Sequence, residues 1–391
     1  MCDIPREEAE ELSTAQLKKA IRDAAQLGAQ TIVFSGGEPL VRNDICGLIF
    51  YAKAQGLDAC LTSNGTLIND ALAAELAKVR VNVVNVSLEG PEQIHDSLRG
   101  QGSFKKALSA LDTLHKCGVE STVAATVSRY NYGSLPFIIE AAHAHKATTV
   151  RFQPFSTIFI MDRARGQDFF IDQTQRERLE EGIKEAVCLA RKYGISINPE
   201  SYLEKIPAYL AGHKIVSQRA CSALWQTCPI NARGDVFLCW VLNSQDGKIG
   251  NVKDQGLVDL WFSRRHERLR REVIQKGCGG CLMSCYDEVF GQERAKITAL
   301  KLRRMPLGDF FRRGAQKLRH VARGEAVYLF SRYRFYVTYR GSIRQLGRRL
   351  WNKMRRPPPG VPLRHSENIR KVADQIEAAK QKLRSAIAAY K

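Results

Sequence analysis

The chain has 391 residues, enough for two or three domains with sizeable cores. No uninterrupted apolar run approaches membrane-spanning length, and the opening Met1-Cys2-Asp3-Ile4-Pro5-Arg6-Glu7-Glu8 does not read as a secretory leader. The net charge of +20 sits in residues 291–391, which hold 26 basic and 6 acidic side chains, so the basicity says nothing about what the balanced first part binds.

In chain order, Ser13-Thr14 can cap a helix that runs to about Leu27 and stops at Gly28. Thr31-Ile32-Val33-Phe34 reads as a short strand ending in Ser35-Gly36-Gly37-Glu38-Pro39. A helix at 43–55 precedes a strand from Leu57 to Thr62, which ends in Ser63-Asn64-Gly65-Thr66. A helix at 69–79 and a strand from Asn82 to Leu88 follow. Then come a helix at 103–117, a strand from Glu120 to Val127, a helix at 133–145 and a strand from Thr149 to Gln153. A long polar helix at 172–193 and a segment to about 215 lead into a cysteine-rich region. Repeated strand–helix units of this size predict parallel strands covered by helices, with right-handed connections. Five strands suit an open sheet or a partial barrel, and in either the ligands sit at the carboxyl ends of the strands. The polar and glycine-rich segments gather at those ends.

Six of the eleven cysteines lie within residues 221–285: Cys221, Cys228, Cys239, Cys278, Cys281 and Cys285. A close thiol pair with distant partners is a metal-ligand spacing. It suits zinc as well as an iron–sulfur cluster, and disulfides are a third reading. The remaining cysteines are scattered, as in a reduced cytosolic protein. Of these, Cys46, Cys60, Cys117 and Cys188 read as core thiols.

Gly36-Gly37-Glu38-Pro39 after a strand resembles the signature of the radical S-adenosylmethionine (radical SAM) enzymes. Thr62-Ser63-Asn64-Gly65-Thr66, Ser87-Leu88-Glu89-Gly90, His95-Asp96-Ser97-Leu98-Arg99-Gly100 and Gly102-Ser103-Phe104 match the subclass with a C-terminal SPASM or twitch domain. Cys221, the run Gly234-Asp235-Val236-Phe237-Leu238-Cys239, Gly250-Asn251-Val252, Leu260-Trp261 and the Cys278/Cys281 pair resemble that domain. The resemblance covers about residues 1–289 and favours iron–sulfur over zinc.

It implies an α/β fold: a partial (β/α)6 barrel lacking its first strand over 1–200 and a small iron–sulfur domain over 201–289; the basic tail over 290–391, read from its own composition as helical, lies outside the resemblance. It implies a [4Fe–4S] cluster and S-adenosyl-L-methionine as cofactors. One electron from the cluster breaks a carbon–sulfur bond, and the 5′-deoxyadenosyl radical takes a hydrogen atom from a substrate. An external electron donor is implied as a partner, with a peptide or small molecule as substrate. Gly36, Gly37, Glu38, Pro39, Asn64 and Ser87 are the expected cofactor-binding residues. No residue stands out as a catalytic acid or base.

The family's defining C-x3-C-x2-C loop is absent. Cys2 resembles its third cysteine, so Met1 is expected to be an internal methionine of a longer enzyme, and the 391-residue form to be inactive. For the auxiliary site the resemblance implies Cys221, Cys239, Cys278 and Cys281 around one cluster. Cys228 and Cys285 remain for a second, incompletely ligated one. Asp96 and Arg99 are expected to form a local ion pair, His143 and His145 to be ordinary helix residues, and Tyr130, Arg151 and Gln153 to face the substrate.

In the tail, arginine pairs from Arg303-Arg304 to Arg355-Arg356 recur among aromatics such as Phe310, Tyr333 and Trp351. This face can dock on the protein's own core or lie on an anionic membrane surface; nucleic acid is not the expected partner. The expected location is the cytoplasm, peripheral at the membrane if the tail engages it. After the break at Pro357-Pro358-Pro359, Ile369, Val372, Ile376, Ala379, Leu383 and Ala386 form one apolar helical seam. The competing reading is a non-catalytic iron–sulfur or zinc protein that binds a partner through this tail.

Overall fold

The computed structural model describes residues 10–157, 166–213, 223–242, 245–276 and 281–283. Cys2, Cys221, Cys278, Cys285 and the tail lie outside the described residues.

Five strands, β1 (Thr31–Phe34), β2 (Asp58–Ser63), β3 (Val83–Ser87), β4 (Ser121–Val127) and β5 (Thr149–Pro154), form one sheet in sequential order. Every neighbouring pair is parallel. The connections carry helices α1 (Thr14–Gln26, ahead of β1), α2 (Ile45–Ala54), α3 (Asp70–Lys78), α4 (Glu92–Arg99), α5 (Ser103–Lys116) and α6 (Leu135–Ala144). Ser13 closes a capping box with Gln16 at the start of α1, and Gly28 just beyond its end has φ +78°, as the sequence predicts. Helix α4 is an addition. Its segment was legible as a motif but too short and polar to stand out as a helix.

Strand alternation sorts the side chains onto two faces. Ala59 and Leu61, Val84 and Val86, Val123, Ala125 and Val127, and Val150 and Phe152 are buried at 2% exposure or less, within the same core as Leu48, Leu76, Leu111 and Ile138 from the helices. Each such aliphatic side chain stabilises the fold by roughly 1.5–3 kcal/mol relative to exposure. The opposite face is half-buried and more polar. The register aligns Val33, Cys60 and Val83 in one row, Thr62, Asn85, Thr122 and Thr149 in a second, Ala124 with Ser87 and Arg151 in a third, and Thr126 with Gln153 in a fourth. Cys60 is thus on the polar face rather than in the core, and Cys188 is exposed; of the four expected core thiols, only Cys46 is buried.

Beyond β5, α7 (Gln173–Tyr193) packs on α6, and the short α8 (Glu200–Leu203) and α9 (Lys205–Leu210) bury Tyr202, Leu203, Ile206 and Leu210 in the first core. A second core surrounds an antiparallel pair, β6 (Asp235–Phe237) and β7 (Lys248–Asn251), with α10 (Ala223–Gln226), α11 (Leu257–Trp261) and α12 (Arg264–Lys276). Leu12, ahead of α1, joins this second core at 2% exposure, and its amide donates to the Ala232 carbonyl over 2.9 Å. Asp23 on α1, itself buried, accepts the Leu257 amide at 2.9 Å, at the start of α11.

Replacing Asp23 leaves that buried amide unpaired. Asp23→Ala is expected to cost about 1–2 kcal/mol, read as a lower urea midpoint, whereas a surface control such as Asp70→Ala should barely move it.

Candidate functional site

The carboxyl ends of the parallel strands bring the polar loops to one rim. After β1, Gly36 has φ +146°, and a side chain there would meet nothing within 4 Å. The constraint on Gly36 is therefore backbone conformation rather than crowding, and Gly36 and Gly37 leave exposed main chain at the rim. Glu38 is a brace. Its carboxylate accepts from the Leu40 amide at 3.1 Å, the Ser63 hydroxyl at 2.9 Å and the Asn64 amide at 2.8 Å. It thereby joins the loop after β1 to the loop after β2, and Pro39 is buried in the turn that follows. Asn64 Oδ1 accepts from Thr66 Oγ1 and the Thr66 amide at 2.7 and 2.8 Å, which closes its own loop. Gly65, at φ +78°, lies where a Cβ would meet Val86 and Ala107 at 3.1 and 3.3 Å, so only glycine lets this loop press onto α5. Ser87 is buried at the end of β3, in register with Ala124.

The expected Asp96–Arg99 pair does not form. Arg99 bonds instead to Glu89, a carboxylate with no solvent exposure, which also accepts the Thr126 amide at 2.7 Å. Asp96 turns the other way and accepts the amides of Gly102 and Phe104 at 2.7 and 2.8 Å and the Ser103 hydroxyl at 3.2 Å. A carboxylate over the first turn of α5 meets amides with no partner inside the helix, a stronger arrangement than a solvated ion pair. These bonds hold Asp96 below the usual carboxylate range, the Phe104 amide being the largest cause. His95, 1% exposed, accepts the Glu89 amide at Nδ1 over 3.1 Å, which leaves its proton on Nε2 when neutral. Asn131 completes the knot by donating to the carbonyls of Glu89 and Thr126, each at 2.9 Å. The polar signals in Glu89 and Arg99 were visible in the sequence; their pairing was not.

Arg151 and Gln153 lie on the polar face, whereas Tyr130 is 46% exposed and stands edge-on to Phe169 at 5.2 Å. His143 stacks on Tyr193 and His145 bonds Asp112, ordinary helix roles.

The cysteines divide. Cys239 is buried and Cys281 half-buried, and both belong to one small apolar cluster with Ala223, Trp240 and Met283. Cys228 packs against the second core, where burial pushes its thiol up to about 12 against the pull of the nearby Arg270 guanidinium. Arg270 is itself buried over the rings of Trp261 and Trp225, at 4.8 and 5.9 Å, with Nε bonded to the Leu224 carbonyl. Two thiols in one small apolar cluster fit thiolate ligation of iron. Among the described residues no group of three or more such ligands occurs; the other expected ligands lie outside them.

Burial holds two imidazoles neutral: His95 is pushed down to about 4 and His266 to about 3. The unfolded chain takes up these protons below about pH 6.5, so folding stability should fall as pH drops from about 6.5 toward 4. Asp96, lowered in the fold, contributes fully above about pH 4 and loses its contribution as pH falls through its native value. Urea midpoints against pH should show both stages, with Asp96→Asn flattening only the lower one. Glu89→Ala, which strands Arg99 and the Thr126 amide, should cost about 3 kcal/mol in the same measurement at pH 7.

Two family models match this chain: the Radical SAM superfamily over residues 1–138, and SPASM, an iron–sulfur cluster-binding domain, over residues 221–286. An AdoMet-dependent heme synthase of Oleidesulfovibrio alaskensis is 37% identical over 313 residues, covering 73% of this chain and 75% of that protein. Mycofactocin maturase MftC of Mycolicibacterium smegmatis is 28% identical over 284 residues, covering 70% and 68%. For Fe-coproporphyrin III synthase of Methanosarcina barkeri the match is 36% identical over 143 residues and spans only 36% of each chain. Among solved structures, Streptococcus suis SuiB bound to S-adenosylmethionine superposes with a TM-score of 0.55 at 18% identity, covering 68% of this chain and 62% of that one. anSMEcpe with bound AdoMet gives 0.51 at 17%, covering 66% and 74%; at these identities the likeness is one of fold. With two domain models matched and a relative of such identity and coverage, the chain belongs to the radical SAM superfamily of enzymes, in the branch with a SPASM-type domain, whose cofactors are S-adenosylmethionine and iron–sulfur clusters.

Proposed function

We propose that this protein modifies a peptide or a small metabolite by hydrogen-atom abstraction, with the reaction housed on the polar face of the parallel sheet and an auxiliary cluster beside it. The observation that carries the reading is that Cys239 and Cys281 share one apolar cluster, the Cys281 segment being bonded to Gln153 at the end of β5. A [4Fe–4S] cluster and S-adenosylmethionine, when bound, would supply the one-electron chemistry for hydrogen-atom abstraction.

The chain's own residues place and enclose these groups. The exposed main chain of Gly36-Gly37 is our proposed contact for the cofactor amine, and Glu38 holds that loop at the right height by bracing it to Ser63 and Asn64. Ser87 and Asn64, at the ends of β3 and β2, are the neighbouring polar positions. Arg151 is the charged side chain in the four aligned rows, and with Thr126 and Gln153 it is our proposed wall toward a polar substrate. The heme synthase and maturase relatives, and SuiB solved with a precursor peptide, support both substrate classes.

For the auxiliary site the proposed ligands are Cys239 and Cys281 with Cys221 and Cys278, which precede Ala223 and Cys281 by two and three positions. The separate setting of Cys228 supports assigning it to a different role. Anaerobic reconstitution tests this. One auxiliary cluster adds about four irons per chain and two add about eight. Cys239→Ser and Cys281→Ser should each lose the auxiliary iron, while Cys228→Ser keeps it. Retention in either of the first two variants, or zinc in place of iron, overturns the assignment.

A further inference from the structure

The segment that carries Cys281 is tied to the first domain through its next residue. Leu282 inserts its side chain into the first core at 4% exposure. Its carbonyl accepts two hydrogen bonds, from Gln153 Nε2 at 2.7 Å and from the Tyr202 hydroxyl at 2.9 Å. Tyr202 is fully buried, and its hydroxyl also lies 3.4 Å from Gln153 Oε1, so the two donors are fixed relative to one another. Tyr209, seven residues further on in α9, is hydrogen-bonded to Ser156. Residues 281–283 form no helix or strand, so these side-chain bonds stand in for a regular scaffold.

We propose that Gln153 and Tyr202 are positioning residues that fix the auxiliary cluster against the carboxyl end of β5 by clamping the Leu282 carbonyl beside its ligand Cys281. The inference rests on the ligand assignment of Cys281 and adds which part of the sheet domain sets it. The apolar anchor restrains where the loop lies. Two bonds to one carbonyl also fix the orientation of the peptide plane between Leu282 and Met283, one residue beyond Cys281. Bonds beside a ligand tune a metal centre as well as hold it. Gln153 contributes a second property: it belongs to the row that includes Thr126, so one side chain links the proposed substrate wall to the cluster loop.

The test uses the full chain as wild type, Tyr202→Phe, Gln153→Leu and the double variant. In the metal-free chain, hydrogen exchange at the amides of residues 281–283 should speed by about tenfold in the double variant, from the loss of two bonds to a buried carbonyl. After anaerobic loading, its auxiliary cluster should show a changed electron paramagnetic resonance spectrum, a shifted midpoint potential and faster iron release to a chelator. Tyr202→Phe keeps the ring packing and should change in the same direction by less, so it decides the matter if the double variant fails to fold. Normal iron uptake with unchanged exchange, spectrum and release overturns the proposal alone. A wild-type chain that takes up no iron sinks the ligand assignment of Cys281 and the proposal with it.

Discussion

Parallel strands force every strand end, and every loop amide that follows, onto the same rim, and those amides must find acceptors. Three carboxylates meet much of that demand. Glu38 accepts from the loops after β1 and β2, Glu89 from β4, and Asp96 from the first turn of α5. Remove these acceptors and the rim loses the backbone that presents Gly36 and Ser87. A carboxylate that accepts from two segments at once also couples them, so the loops hold their relative positions without any ligand. Preorganisation of this kind is what radical chemistry needs, because a reactive species must meet its target before it meets anything else.

The sheet was the most legible part of the chain. Short apolar strands alternating with amphipathic helices leave one solution for connection and handedness, and all five predicted strands appear within a residue or so of their expected limits. What sequence could not supply was pairing between groups distant in the chain. Arg99 looked like a partner for Asp96, three residues away, but folding brings Glu89 closer and gives Asp96 three donors of its own. Cys60 looked apolar in its strand, yet the register assigns it to the polar face, because one residue of offset decides which face a side chain takes. For the cysteines, spacing identified the group but not its subdivision. That Cys228 stands with the second core, while Cys239 and Cys281 share a cluster, follows from how β6 and α10 pack.

The electrostatics of the second domain differ from those of the rim. There, Arg270 is buried near the Trp225 and Trp261 rings with its Nε on a backbone carbonyl, and His266 is held neutral by burial against Trp261. A cation in such a place is retained only when the surroundings offset the lost hydration; the indole faces and the Leu224 carbonyl do so in part. The result is a buried positive charge beside Cys228, whose thiol burial nevertheless keeps protonated.

Leu12 gives the molecule a topological property that a linear domain map hides. A residue near one end of the chain completes a hydrophobic nucleus assembled from residues some two hundred positions later. Severing the polypeptide at about residue 200 would therefore leave the C-terminal fragment with an unfilled socket, and fusing a short peptide bearing Leu12 to that fragment is the way to close it. The molecule is laced rather than strung.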